Sequence, residues 1–353
     1  MATSGTVCET TVTLDYIYEA AARRCGVTPD KLSPESLDIL KKTLFMLLSD
    51  WGSRGIKLWR IQRPLVGLQV GQSDYDLAAG TIDVLNANFR TPQRLEAETL
   101  TSSNGGTTAN AVDGDVGTLF TMSGTGNLKF DFGSGADDTQ VFLVGLLPGA
   151  TGALTLIFEY STDGVTWSTA YSPGAATYTD SIWTWYAIEP AHAAQYFRVR
   201  SSLGTISMRE IFLAQNWTDV TLARMNKDDY MALPNKTFAS RQVYQYWLDR
   251  QREQPVMVFW PLPANTFTLI SLLTHKYIED PGAMTNEPDV PQRWLEPVVS
   301  SLALRVLMEL PFADLARYPT LKEQAVEPKA DAEGEEVDRS PIRLTPRISG
   351  YTR

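Results

Sequence analysis

The chain has 353 residues, 43% hydrophobic and 20% charged, with a formal net charge of −10. That length predicts two domains, and no run approaches the eighteen apolar residues that a membrane-spanning helix needs. The acidic balance argues against a surface that gathers nucleic acid non-specifically, and Cys8 and Cys25 alone make neither a disulfide framework nor a zinc site.

The first residues, MATSGTVCETTVTL, lack a basic stretch followed by an apolar one, so the expected place of synthesis and assembly is a cytosol. Residues 13–25 read as a short helix with Leu14, Ile17, Ala21 and Cys25 on one face before Gly26. The strongest element follows. Ser33 is a natural N-cap, Pro34 fits the first helical position, and Leu37, Leu40, Leu44, Leu47, Leu48 and Trp51 recur at steps of three and four until Gly52 and Gly55. Its apolar face requires cover, and the Leu14 helix is one partner.

Residues 56–70 read as two strands around Arg63-Pro64, and 81–90 fit either a helix or a strand. At Thr91-Pro92 the composition changes: Lys129 is the only lysine between Lys57 and Lys227. Thr99–Ala111 is polar and glycine-rich and reads as a linker. From Val112 to Leu213 short alternating runs, LKFDF, TQVFLVGLL, LTLIFEY, SIWTWYAI and YFRVR, are separated by Gly, Asp, Ser and Pro, which predicts an antiparallel β-sandwich. Beyond it, Val243–Asp249 and Pro255–Trp260 form a hairpin and Phe267–His275 a third strand. Asp289 is then expected to cap a helix carrying Leu295, Val299, Leu302, Val306 and Leu310, a second partner for the Ser33 helix. The tail has an acidic block over 327–338 and a basic one over 339–353, the pattern of an extended interaction arm.

The fold class expected is therefore α+β: a helical core domain with β-hairpins, interrupted by an inserted antiparallel β-sandwich. The division is 1–98 and 215–320 for the core, 99–214 for the insert and 321–353 for the arm. An insert bracketed by two halves of one domain is what loop tips tolerate.

Chemical signatures are sparse. His192 and His275 are the only histidines, with no nucleophile elbow, no zinc-protease helix and no phosphate loop around them, so no catalytic residues are assigned and the chain is expected not to be an enzyme. In NAVDGDVGTLF, Asp113, Asp115 and Thr118 form either a calcium site, since calcium takes oxygen ligands, or simply a tight turn. Trp167, Trp183 and Trp185 either contact a glycan or fibre or fill the sandwich core.

Two resemblances emerge from these runs. The flanks, about 11–95 and 215–315, resemble the head-to-tail adaptor (tail accessory factor) family of short-tailed bacteriophages through Leu44–Trp59, the VGxxxYDL turn at Gly71–Leu77, YWLDRQ and VFWPLP at 246–263, and DVPQRW at 289–294. Leu77-Ala78-Ala79 departs from the leucine-proline usual there. The segment 109–213 is similar to discoidin-type galactose-binding sandwiches, a jelly-roll fold, in AVDGDVGTLF, LKFDFG, LIFEYSTDGVTW and FRVR followed by MREIFL, without the disulfide of extracellular members. The first resemblance implies a virion protein of the tail or neck, assembled in the host cytoplasm. It would be a twelve-fold homo-oligomeric ring docked under the portal protein, joined below to a tail nozzle or tube protein. It would lengthen the channel through which genomic DNA passes in ejection, without sequence-specific contact. The arm would reach the portal through Arg339, Arg343, Arg347 and Tyr351. The second implies a structural calcium at Ala111–Gly114 and a sandwich that decorates the ring, touches a tail fibre or, as the alternative function, serves as a carbohydrate-binding adhesin.

Overall fold

The structure is a computed structural model of the chain and describes residues 11–55, 58–252 and 254–336. The chain divides into two compact units, one formed by its two ends, up to residue 61 and from residue 276, and the other by residues 62–275.

The first unit is helical in its described part: α1 (Leu14–Arg24), α2 (Pro34–Ser53), α3 (Leu295–Val306) and α4 (Tyr318–Glu335). The Ser33 hydroxyl accepts the Ser36 N–H at 3.2 Å and so satisfies one of the donors that open α2. Leu40, Leu44, Leu47, Leu48 and Trp51 of α2 share one apolar core with Leu14, Ile17 and Tyr18 of α1 and with Val298, Leu302 and Val306 of α3. At its centre the fully buried Trp294 meets the rings of Trp51 and Trp59 at 5.1 and 5.3 Å. Burial pushes the Cys25 thiol up to about 11 and the Tyr18 phenol up to about 12, so both are neutral, and Cys25 Sγ donates to the Ala303 carbonyl at 3.2 Å.

Two expectations fail in this unit. Asp289 caps no helix: its carboxylate accepts the Glu279 N–H at 3.0 Å and pairs with Arg60, while a 3₁₀ turn at Gln292–Trp294 leads into α3. Pro291 follows Val290 and biases it away from helical geometry, so the helix starts late. The arm expected from residue 321 is instead helical to Glu335, because Leu321, Ala325 and Ala332 are buried along one side of α4. The Glu336 carboxylate then accepts the Leu58 N–H at 3.0 Å and Arg293 Nε–H at 2.8 Å.

The second unit is mainly β. Its longer strands are β1 (Leu65–Gly67), β2 (Asp74–Asp76), β3 (Thr81–Arg94), β4 (Thr99–Ser102), β5 (Phe120–Met122), β6 (Asn127–Asp131), β7 (Leu143–Pro148) and β8 (Gly152–Ser161). They continue with β9 (Ser168–Tyr178), β10 (Thr184–Ala187), β11 (Tyr196–Leu203), β12 (Ile206–Thr221), β13 (Gln245–Asp249), β14 (Val256–Trp260) and β15 (Leu269–Lys276). One sheet runs β15-β3-β12-β7-β10, a second β9-β8-β11-β6-β4, and a third includes β13-β14-β2. The first two face each other over a core of Leu128, Phe130, Leu156, Phe158, Phe197 and Val199 from one side and Val144, Leu146, Met208, Ile211 and Leu213 from the other.

Residues 81–94 are thus a strand, not a helix. Thr99–Ser102 is a strand where a linker was expected, because Leu100 turns toward the sandwich core and pairs with Phe130. The boundary near residues 99 and 214 is absent too. The first half of β12 pairs with β7 and its second half with β3, so one strand carries the sandwich sheet into the neighbouring apolar cluster of Val84, Phe89, Tyr246, Phe259 and Ile270. The compact unit is therefore 62–275, and the sandwich is a part of it.

Candidate functional site

The tryptophan pair Trp183 and Trp185 is removed from any surface role. The two side chains are 3% and 6% exposed and stack at 5.3 Å in a cluster with Leu143, Leu147, Phe212 and Leu269. Two glycines make room for them. A Cβ on Gly67 would meet the Trp183 Cβ at 2.5 Å, and one on Gly145 would meet the Trp185 ring at 2.7 Å. Trp183 Nε1–H donates to the Thr266 hydroxyl at 2.7 Å.

Trp167 has a different setting. It follows the β8–β9 turn, which is held by Asp163: this exposed carboxylate accepts the N–H groups of Thr166 and Val165 at 2.7 and 2.8 Å and the Ser161 hydroxyl, bonds that hold it well below the usual range. Trp167 is half-buried, and the Arg198 guanidinium lies over its ring at 4.1 Å. Alternation along β11 puts Tyr196, Arg198 and Arg200 on the outer face of the second sheet, and register sets Arg198 between Glu159 of β8 and Lys129 of β6. Glu159 accepts Arg198 Nε–H at 2.6 Å and Arg200 Nε–H at 3.1 Å. Its burial alone would raise the carboxyl, but the two guanidinium groups outweigh that and hold it below the ordinary value. Lys129 Nζ sits 5.2 Å over the Tyr196 ring. The result is a fixed surface of two aromatic rings and three cations around one carboxylate.

The structure brings Asp113, Asp115 and Thr118 together in one turn. The Asp115 N–H donates to Asp113 Oδ1 at 2.9 Å, the Gly117 N–H donates to Asp115 Oδ1 at 2.8 Å, and Thr118 Oγ1 lies 2.9 Å from both Asp113 Oδ2 and the Asp115 carbonyl. Behind it stands Glu210, fully buried, which accepts the Gly114 N–H at 3.1 Å through Oε2 and Arg94 Nη2–H at 2.5 Å through Oε1. A bulge in β12 between Met208 and Glu210 reverses the alternation there, so Glu210 shares a face with Phe212 instead of the core face of Met208. Calcium takes six to eight oxygens. Here the Asp115 carboxylate is committed to the turn, Glu210 is committed to Arg94 and Gly114, and among the described residues no three His, Cys, Asp or Glu side chains form a metal-holding group. At this turn Arg94 already occupies Glu210 Oε1, while the Asp113 carboxylate and the Asp115 carbonyl gather around Thr118 Oγ1.

Arg339, Arg343, Arg347 and Tyr351 lie outside the described residues. Arg94, Glu210, Arg198 and Glu159 went unnoticed in the sequence. The outward pair in Phe197-Arg198-Val199-Arg200 is legible from alternation, whereas nothing local joins Arg94 to a carboxylate 116 residues away.

No protein-family model matches this chain, and no curated protein matches it. Part of it is similar in structure to carbohydrate-binding modules. A CBM32 module of AlyQ, solved with 4,5-unsaturated mannuronic acid, is 19% identical over 35% of this chain and 99% of its own, with a TM-score of 0.31. A pectin-binding module is 19% identical over 35% of this chain and 93% of its own, with a TM-score of 0.30. A CBM32 module of a family 31 glycoside hydrolase from Clostridium perfringens is 16% identical over 34% of this chain and 96% of its own, with a TM-score of 0.29.

Proposed function

We propose that the chain is a non-catalytic carbohydrate-binding protein whose contact surface is the outer face of the second sheet around Trp167. The observation that carries this reading is the preset stack of Trp167 on Arg198 beside Lys129, Tyr196 and Arg200. An aromatic face offers a pyranose ring its C–H edges, and neighbouring guanidinium and ammonium donors meet hydroxyl or carboxylate oxygens. Three cations against Glu159 favour a saccharide that carries carboxylates. The full chain applied to an array of neutral and uronic-acid glycans should bind acidic members, and Trp167→Ala should lose that binding at least tenfold while unfolding at the same temperature. Equal retention by Trp167→Ala, or no binding at all, rejects the reading.

A second reading, the head-to-tail adaptor ring with portal, tail and fibre contacts, is favoured by one observation. The helical unit displays Met308, Phe312 and Leu315 at 74, 75 and 62% exposure, together with Phe45 and Met46. Large apolar side chains left open in this number suit burial against other subunits. Electron microscopy of the protein mixed with a short-tailed phage portal should then show rings on the portal, and a field of isolated monomers would count against it.

A further inference from the structure

The turn at Asp113 resembles a cation site, yet a cation from the chain itself already stands beside it. Arg94, the last residue of β3, donates through Nη2 to Glu210 and through Nη1 to the Val112 carbonyl at 2.7 Å, the carbonyl immediately before Asp113. Its guanidinium lies 4.6 Å over the Phe212 ring and 5.7 Å from that of Phe267. One planar group therefore does two things that a calcium ion does in an oxygen-lined turn: it neutralises a carboxylate and gathers a main-chain carbonyl. Glu210 in turn takes the Gly114 N–H, so the chain of contacts runs from Phe212 through Arg94 and Glu210 into the turn.

We propose that Arg94 is the built-in cation of this turn, and that the sandwich closes the loop at Ala111–Thr118 without a metal ion. Burial requires this partner. Glu210 is fully enclosed, and a buried carboxylate with no counter-charge is strongly destabilising. The aromatic stack holds the guanidinium in the plane that reaches both acceptors, which a lysine at the same position could not do. Access is not the obstacle to calcium: a cavity of about 380 Å³ bordered by Arg94, Asp113, Gly114, Asn265 and Phe267 opens beside the turn.

The test is thermal unfolding of the full chain in EGTA and in calcium chloride, with equilibrium dialysis of radioactive calcium alongside. The wild-type protein should bind no calcium at micromolar free concentrations and unfold at the same temperature in both media. Stoichiometric calcium binding, or a midpoint several degrees higher in calcium, overturns the proposal. Arg94→Met keeps a stem against Phe212 but removes the charge, so its midpoint should fall and calcium should restore part of the loss. An undiminished midpoint, or a fall that calcium does not touch, overturns it as well. If Arg94→Met does not fold, the wild-type dialysis still decides, and Arg94→Lys should show the calcium response in weaker form.

Discussion

Glu336 shows how one side chain closes the helical unit. Its carboxylate collects Arg293, the Leu58 N–H and the Trp294 indole N–H, groups contributed by two separate parts of the chain. Burial alone would raise its carboxyl, but these donors outweigh it and hold it below the ordinary value. A carboxyl depressed in the folded state contributes stability that is complete above its unfolded value and is lost as the pH falls through the folded one. Denaturant unfolding along a pH series should therefore show the unit weakening on the acid side. Glu336→Gln should be less stable at neutral pH by about 2 kcal/mol and should have a flatter acid limb. An unchanged limb in the variant places the acid sensitivity elsewhere. The sequence marks Glu336 only as one member of an acidic block; the donors that single it out come from residues 58 and 293–294.

At the scale of elements, local signals worked where a neighbour within one turn or one hairpin decides the conformation. Ser33-Pro34 opens α2, and the step of three and four along its leucines marks the face that is buried. The alternation in LKFDF and YFRVR marks β6 and β11, with Phe130 and Val199 inside and Lys129 and Arg198 outside. Signals failed where the period is ambiguous or the partner distant. Thr81–Arg94 carries apolar residues at both helical and strand steps, and it is a strand because β12 and β15 flank it. Trp183 and Trp185 share a face, as strand geometry requires, but whether that face is open depends on Gly67 and Gly145, whose missing side chains admit the rings. Gly145→Ala should thus push the Trp185 ring and cost about 1–3 kcal/mol of overpacking, read as a lower midpoint and altered tryptophan emission. An unperturbed midpoint would mean that the ring has slack the close approach does not suggest.

For the molecule as a whole, the decisive departure is the boundary. Composition divides the chain near residues 99 and 214, whereas compactness divides it at 62 and 276, because β12 pairs first with β7 of the sandwich and then with β3, whose Val84 and Phe89 lie in the neighbouring cluster. A fragment of residues 99–214 would lack β3 and the second half of β12, and with them Arg94; one of 62–275 retains all three. The helical unit leads to a separate expectation: native mass spectrometry of the full chain should show assemblies larger than a monomer. Phe312→Ser together with Leu315→Ser, both exposed, should shift them toward the monomer without lowering the unfolding midpoint. A monomer in both cases would remove the support these residues lend to a ring.

What the sequence determined by itself is what short-range physics decides: caps, periods and the alternation that sorts inner from outer residues along each element. The inner contacts of the Asp113 turn belong with these, since the hydrogen bonds that link Asp113, Asp115, Gly117 and Thr118 span at most five residues. Only the tertiary structure decided which outward residues meet. The β12 bulge turns Glu210 toward Arg94, the register of β11 with β8 and β6 places Glu159 and Lys129 beside Arg198, and two distant glycines bury a pair of tryptophans. Each depends on strand register and close approach between segments far apart in the chain. None of the three is encoded in a local pattern, because a one-residue shift in pairing sends every side chain to the opposite face.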